Sequence, residues 1–267
     1  MNRIKLISAI AASLIASSAL AQTTPAPVPA PATPAAPAAA APTPEHTFSG
    51  NIGVASSYIY RGLAQTDYKP AIQGGFDYSH VSGFYAGIWA TNVRWLKDFG
   101  ISNGKVETDL YFGYKGTAGD IGYDIGFLRY EYSGSTASGS TNPDTNEIYV
   151  AATYKVLTLK YSHAISNTFA NADSKNSYYL DLTGAFPVAD NITINAHVGY
   201  QGIKGPASSP GSYTDFKLEG VYDFGNGFTA AGGVTATDAD KTFYAPAGKK
   251  FTGKTTPYLL LKYTKTF

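Results

Sequence analysis

The sequence predicts an all-β chain: a closed, antiparallel, up-and-down transmembrane β-barrel of about twelve strands. Three observations carry that prediction. From Thr47 onward, apolar residues recur at every second position, the strand period. The breaks between these segments are alternately short and long. The composition is poor in charge (15%) yet rich in tyrosine (21) and glycine (28), which suits a wall facing lipid rather than water.

The chain begins with an export signal. Arg3 and Lys5 form a short basic region, Leu6 to Leu20 carries no charge, and Ala19-Leu20-Ala21 offers a small-x-small cleavage site. The apolar run is about 15 residues, short of the roughly 20 a spanning helix needs, so residues 1–21 read as a cleaved signal peptide. Removing Arg3 and Lys5 from the 20 basic residues leaves 18 against 19 acidic ones, so the mature chain is close to neutral. That balance gives no reason to expect nucleic acid as a partner. No other stretch approaches the length of a membrane helix. For an exported chain that spans a membrane, a closed barrel then remains.

Residues 22–46 are almost entirely Pro, Ala and Thr, with prolines at 25, 27, 29, 31, 34, 37, 42 and 44. Proline lacks an N–H and fits neither a sheet nor a helix interior. The segment reads as a disordered periplasmic linker of polyproline II character. Residues 47–267 are assigned to an outer-membrane β-barrel.

Within that region the two faces of each strand differ. In 191–202, Ile192, Ile194, Ala196, Val198 and Tyr200 alternate with Thr193, Asn195, His197, Gly199 and Gln201. In 104–115, Val106, Leu110, Phe112 and Tyr114 oppose Glu107, Asp109, Tyr111 and Lys115. In 212–223, Phe216, Leu218, Gly220 and Tyr222 oppose Asp215, Lys217, Glu219 and Val221. Short breaks fall near 79–83, 116–119, 155–157, 187–190 and 224–227, the last containing Gly225-Asn226-Gly227, whose residues accept the positive φ of a tight hairpin. Longer breaks rich in Gly, Ser and Asn fall near 61–67, 94–103, 134–144, 167–174, 203–211 and 239–252. Alternating long and short connections predict twelve strands, with ten or fourteen also compatible, and place both termini in the periplasm. A soluble β-sandwich also alternates, but its loops need not.

The last strand, 258–267, puts Leu259, Leu261, Tyr263 and Phe267 on one face and ends on an aromatic. This resembles the C-terminal signal taken up by the bacterial barrel-assembly machinery. Lys265 departs from it, at a position where the side chain reaches the interface.

Charges on the inward face define the candidate site. The acids are Asp77, Glu107, Asp109, Asp124, Glu147, Asp181, Asp215 and Glu219; the bases are Arg61, Lys69, Lys115, Lys160 and Lys217. On the lipid face such a group costs about 2–4 kcal/mol at mid-depth, so these side chains are expected to line the lumen. They make either a polar pore wall that sets solute preference or an ion-pair network filling a closed barrel. Arg61 fits equally a cation at the pore mouth and a partner for an acid on a neighbouring strand. The pair Gly74-Gly75 reads as a strand bend. Tyr58, Tyr60, Tyr68, Phe76, Tyr78, Trp89, Tyr114, Tyr178 and Phe186 are expected to form interfacial girdles.

Enzyme signatures are weak. Cysteine is absent. His46 falls in the linker, His80 in a short turn, and His163 and His197 on strands without a Ser or Asp at a telling spacing. Glu107 and Asp109, about 7 Å apart along one strand, suit acid/base work but more simply line a pore. No cofactor is expected, and no metal-ligand cluster or phosphate loop stands out.

Residues 48–93 carry the most specific text: Tyr58-Ile59-Tyr60-Arg61-Gly62, Gln65-Thr66, Pro70-Ala71-Ile72-Gln73-Gly74-Gly75-Phe76-Asp77 and Gly83-Phe84-Tyr85-Ala86-Gly87-Ile88-Trp89-Ala90-Thr91-Asn92-Val93, followed by Glu107-Thr108-Asp109-Leu110-Tyr111. This resembles the start of the TorF family of porins, with Ala64 where serine is usual. The resemblance implies a channel in the outer membrane of a Gram-negative bacterium and names no solute; with the polar inward face, passive passage of small hydrophilic solutes is the expectation, with outer-membrane lipids as partners and an oligomer compatible. An outer-membrane hydrolase and a narrow structural or adhesive barrel are the alternatives.

Overall fold

The computed structural model describes residues 44–99, 101–245 and 250–267. The expected signal peptide and all but the last three residues of the expected linker lie outside the described residues. Twelve strands form the barrel: β1 (His46–Ala55), β2 (Ala71–His80), β3 (Phe84–Asn92), β4 (Val106–Ala118), β5 (Ile121–Tyr132), β6 (Thr145–Tyr154), β7 (Leu157–Ala164), β8 (Tyr178–Ala189), β9 (Ile192–Gly202), β10 (Tyr213–Gly225), β11 (Phe228–Thr237) and β12 (Thr256–Thr266). Each pairs antiparallel with its sequence neighbours, and β1 pairs with β12 from Ser49↔Thr266 to Ala55↔Leu260, which closes the sheet. Closure leaves no unpaired edge.

The turns at 81–83, 119–120, 155–156, 190–191 and 226–227 are short, while 56–70, 93–105, 133–144, 165–177, 203–212 and 238–255 are long. Gly225, Asn226 and Gly227 all take positive φ, at 79°, 55° and 87°, the conformation such a turn requires. Pro187, which has no N–H to give, sits where the register between β8 and β9 shifts. The barrel begins at His46, inside the segment assigned to the linker. Phe267 donates its backbone N–H to the Phe48 carbonyl, so both ends of the described barrel lie at the short-turn end.

The outer face is apolar. Ile125, Leu218 and Leu261 are more than half exposed, as are Ile52, Ile72 and Phe112, and a soluble monomer rarely leaves so continuous an apolar surface open. Outward rings meet across strands near the short-turn end: Phe48 stacks on Phe76, Phe84 meets Tyr114 edge-on and Phe228 lies tilted against Tyr263. Of the expected girdle residues, Phe76, Tyr78, Tyr114, Tyr178 and Phe186 lie on this outer face. Tyr58 (3% exposed) and Trp89 (1%) do not, and neither does Tyr60, which packs on the buried core. Tyr68 lies in the first long loop. Residue type suggested a girdle for these four; strand parity at Trp89, next to outward Ile88, pointed inward.

Glycine and tyrosine work together inside the wall. A Cβ on Gly87 would meet the Tyr111 ring at 2.5 Å, and Gly113, Gly126 and Gly199 lie in the same way beneath Tyr85, Tyr149 and Tyr179. Each glycine leaves a slot into which a tyrosine from the adjacent strand lies flat. The abundance of both residues therefore serves packing of the inner wall as well as the outer aromatic surface.

Candidate functional site: a charged lumen closed by the first loop

β1 stops at Ala55 rather than continuing to Arg61. The chain turns inward, and Ile59–Tyr60 pair with Leu63–Ala64 as a small hairpin, with Arg61 and Gly62 at its tip. Both tip residues take positive φ, 44° and 76°. Only glycine fits the second place, because a Cβ there would lie 2.6 Å from that of Asp215. The hairpin base is pinned by Thr66, whose Oγ1 accepts the Tyr58 N–H at 3.1 Å and lies 3.2 Å from Ser57 Oγ. The last long loop holds it from above: Ala64 donates to the Thr252 carbonyl at 2.8 Å, and the Tyr68 hydroxyl donates to the Phe251 carbonyl at 3.0 Å.

The hairpin crosses the lumen. Arg61 donates to both Glu147 oxygens, at 2.8 and 3.1 Å on β6, and to Gln201 Oε1 at 2.7 Å on β9. Its guanidinium also lies 4.2 Å above the Tyr179 ring. Tyr58 donates to Glu107 on β4 at 2.7 Å, and the Tyr60 hydroxyl lies 2.6 Å from that of Tyr130 on β5. Arg61 is thus a buried ion-pair partner of Glu147.

The inward acids and bases occupy two levels. Glu107, Asp109, Glu147 and Asp215, beside the hairpin, are at most 3% exposed. Toward the short-turn end, Asp77, Lys115, Lys160, Asp181 and Lys217 are partly exposed. Asp124 and Glu219, also inward, are buried at 5% and 1% exposure. Tyrosines supply donors to six of the acids: Tyr111 to Asp77, Tyr85 to Asp124, Tyr179 to Asp215, Tyr258 to Glu219, Tyr58 to Glu107 and Tyr130 to Glu147. Asp109 is different, since neither of its oxygens has a partner among the described residues. Lys160 lies 3.9 Å over the Tyr149 ring, and Lys217 is 3.8 Å from Glu219.

Lys69 is the one candidate that leaves the lumen. It is exposed in the first long loop, one residue before Pro70, because the loop has already left the barrel there. Two further inward residues stand outside the candidate acids and bases. Lys262 on β12 is partly buried on the inner face; strand parity with buried Leu260 is the signal for it. His197 bridges Asp181 (3.2 Å) and Asp215 (3.0 Å). It faces Thr183 and Lys217 directly, so each acid is its diagonal neighbour, a relation no spacing along the chain reveals. At the short-turn end, exposed Glu45 and His46 lie together with partly buried His80, their ligand atoms within 4.8 Å of one another. The register His46↔His80 makes that grouping, where the sequence had shown no metal-ligand cluster.

Above the hairpin, the long loops border a cavity that opens to solvent. Tyr60, Leu63, Ala64 and Gln65 of the hairpin line one side of it. Tyr244, on the last long loop, donates to the Gly211 carbonyl at 2.6 Å, and burial raises its hydroxyl above the ordinary range, so it stays a donor.

Solved structures share the barrel. The KdgM porin aligns with a TM-score of 0.50 at 10% identity, over 81% of this chain and 98% of its own. The COG4313 outer membrane channel from Pseudomonas putida F1 aligns at 0.52 and 11% identity, over 88% of this chain and 100% of its own. At these identities the likeness is one of fold. No curated protein matches the sequence. Residues 39–267 match the family model described as bacterial protein of unknown function (Gcw_chp), and the chain belongs to that family.

Proposed function

We propose that this chain is a porin-like channel of the Gram-negative outer membrane, passing small hydrophilic solutes by diffusion, with the 59–64 hairpin closing its long-loop half at rest. One observation carries the reading. The twelve strands are apolar outside and lined inside with acids and lysines, of which Asp77, Lys115, Lys160, Asp181 and Lys217 are partly exposed toward the short-turn end. A wall of that kind is stable around an aqueous path. The two solved channels with the same barrel support the reading, as does the resemblance of residues 48–93 to the TorF porins. Export by a cleaved signal peptide and insertion through the barrel-assembly machinery at Phe267 belong to the same proposal.

A hydrolase is the weaker reading. His197 has a hydroxyl beside it, Thr183 Oγ1 at 3.1 Å, but that hydroxyl donates to Asp181 at 2.8 Å. The proton that a general base would remove is already committed elsewhere. Refolded full-length protein in a planar bilayer tests the channel. Discrete current steps are expected, and a correctly folded barrel that never conducts at any voltage would end the proposal.

A further inference from the structure

The cavity at the mouth has a lining of definite chemistry. Half of its wall is aromatic, with Tyr60, Trp95, Phe169 and Tyr213 coming from four different connections or strands. Rings converging from several elements offer faces for stacking another ring. The Tyr213 hydroxyl has no hydrogen-bond partner among the described residues, although the ring is 5% exposed. Lys250 is the charged group on the wall, and no carboxylate lines it among the described residues.

The wider charge pattern has the same sign. The six long connections (56–70, 93–105, 133–144, 165–177, 203–212 and 238–255) contain 11 Lys and Arg against 6 Asp and Glu. The inner wall below carries the opposite excess. A potential of that kind raises the local concentration of anions at the mouth.

We infer that the mouth cavity binds a small monoanion built on an aromatic ring, an aromatic carboxylate, with its ring among Tyr60, Phe169 and Tyr213 and its charge toward Lys250. The hairpin that closes the lumen forms part of this wall, so the site is where a solute first meets the plug. The inference goes beyond the channel reading by naming a ligand class, and its test is a binding measurement that does not depend on conductance.

Isothermal titration of detergent-refolded full-length protein with benzoate, benzyl alcohol, benzylammonium, acetate and glucose separates the contributions. Benzoate is expected to bind with one site per chain. Benzyl alcohol and acetate, which each lack one half of the chemistry, should bind at least about fivefold more weakly, and benzylammonium more weakly still. Lys250→Ala should weaken benzoate about fivefold and leave benzyl alcohol unchanged. Phe243→Ala, at the cavity rim, should weaken both ring compounds. Binding of glucose in preference to benzoate, equal binding of benzoate and benzyl alcohol, an unchanged benzoate affinity in Lys250→Ala, or no heat with millimolar benzoate would each overturn the inference. Benzoate binding by a protein that never conducts would leave this site standing and remove the channel.

Discussion

Arg61→Ala is the substitution that exposes the logic of the plug. In the native protein the Arg61 side chain is 6% exposed and Glu147 is 2% exposed, with their nearest atoms 2.8 Å apart. Removing the guanidinium deletes two hydrogen bonds to Glu147, one to Gln201 and the stack on Tyr179. It also leaves Glu147 as a buried carboxylate close to Asp109, which has no partner of its own. Breaking a buried pair from one side costs about 3–5 kcal/mol. That cost falls on the closed arrangement alone, because with the hairpin withdrawn Glu147 meets water. At 1.4 kcal/mol per decade, the closed-to-open ratio should fall by roughly two to three and a half orders of magnitude. Single-channel recording measures it directly as open probability. The double variant Arg61→Ala/Glu147→Ala should recover part of the closed population, since no orphaned charge remains, and its effect should be less than the sum of the two single changes. A folded Arg61→Ala barrel with the open probability and thermal stability of the native protein would refute the assignment of Arg61 as the latch.

Three other outcomes follow from the same structure. Gly62→Ala forces a Cβ onto a residue at φ 76° and against Asp215; it should destabilise the seated hairpin by about 1–3 kcal/mol and raise open probability without changing ion selectivity, as read in bilayer recordings. Leu218→Arg puts a charge on the apolar outer face at mid-strand and should cost about 2–4 kcal/mol in urea unfolding from vesicles, whereas Thr193→Arg on the inner face should cost little. Gly199→Ala fills the slot under Tyr179, the ring that carries Arg61 and donates to Asp215; it should cost about 1–3 kcal/mol, and Tyr179→Ala in the same chain should relieve part of that loss.

The barrel was legible because its determinants are local. Parity placed Glu107, Asp109, Lys115, Asp215, Lys217 and Glu219 on the inner face, and turn chemistry at 225–227 marked a hairpin that the structure shows. The plug was not legible for a physical reason. Tyr58, Ile59 and Tyr60 continue the composition of β1, and the positive φ at Arg61 and Gly62 together with contacts to distant strands, such as Tyr58 to Glu107 and Arg61 to Gln201, hold them inward. His197 gives a second case. Its partners Asp181 and Asp215 stand on the strands to either side, two places off the direct register. Trp89 shows that a residue's type can mislead where its parity does not, since its neighbour Ile88 faces outward and Trp89 is buried. Register across strands, and loops that fold back through the lumen, are tertiary properties that periodicity along one strand does not encode.

The central claim is that a conducting lumen lies beneath the 59–64 hairpin. Replacing residues 58–65 with a short Gly/Ser linker removes Tyr58, Tyr60 and Arg61 while leaving all twelve strands. The wall that remains carries Asp77, Glu107, Asp109, Asp124, Glu147, Asp181, Asp215 and Glu219 against Lys115, Lys160, Lys217 and Lys262. Planar-bilayer recording of this variant should give steady, larger current steps that favour cations, beside rare openings in the native protein. A variant whose heat-modifiable electrophoretic shift proves it folded, yet which carries no more current than the native chain, would contradict the account.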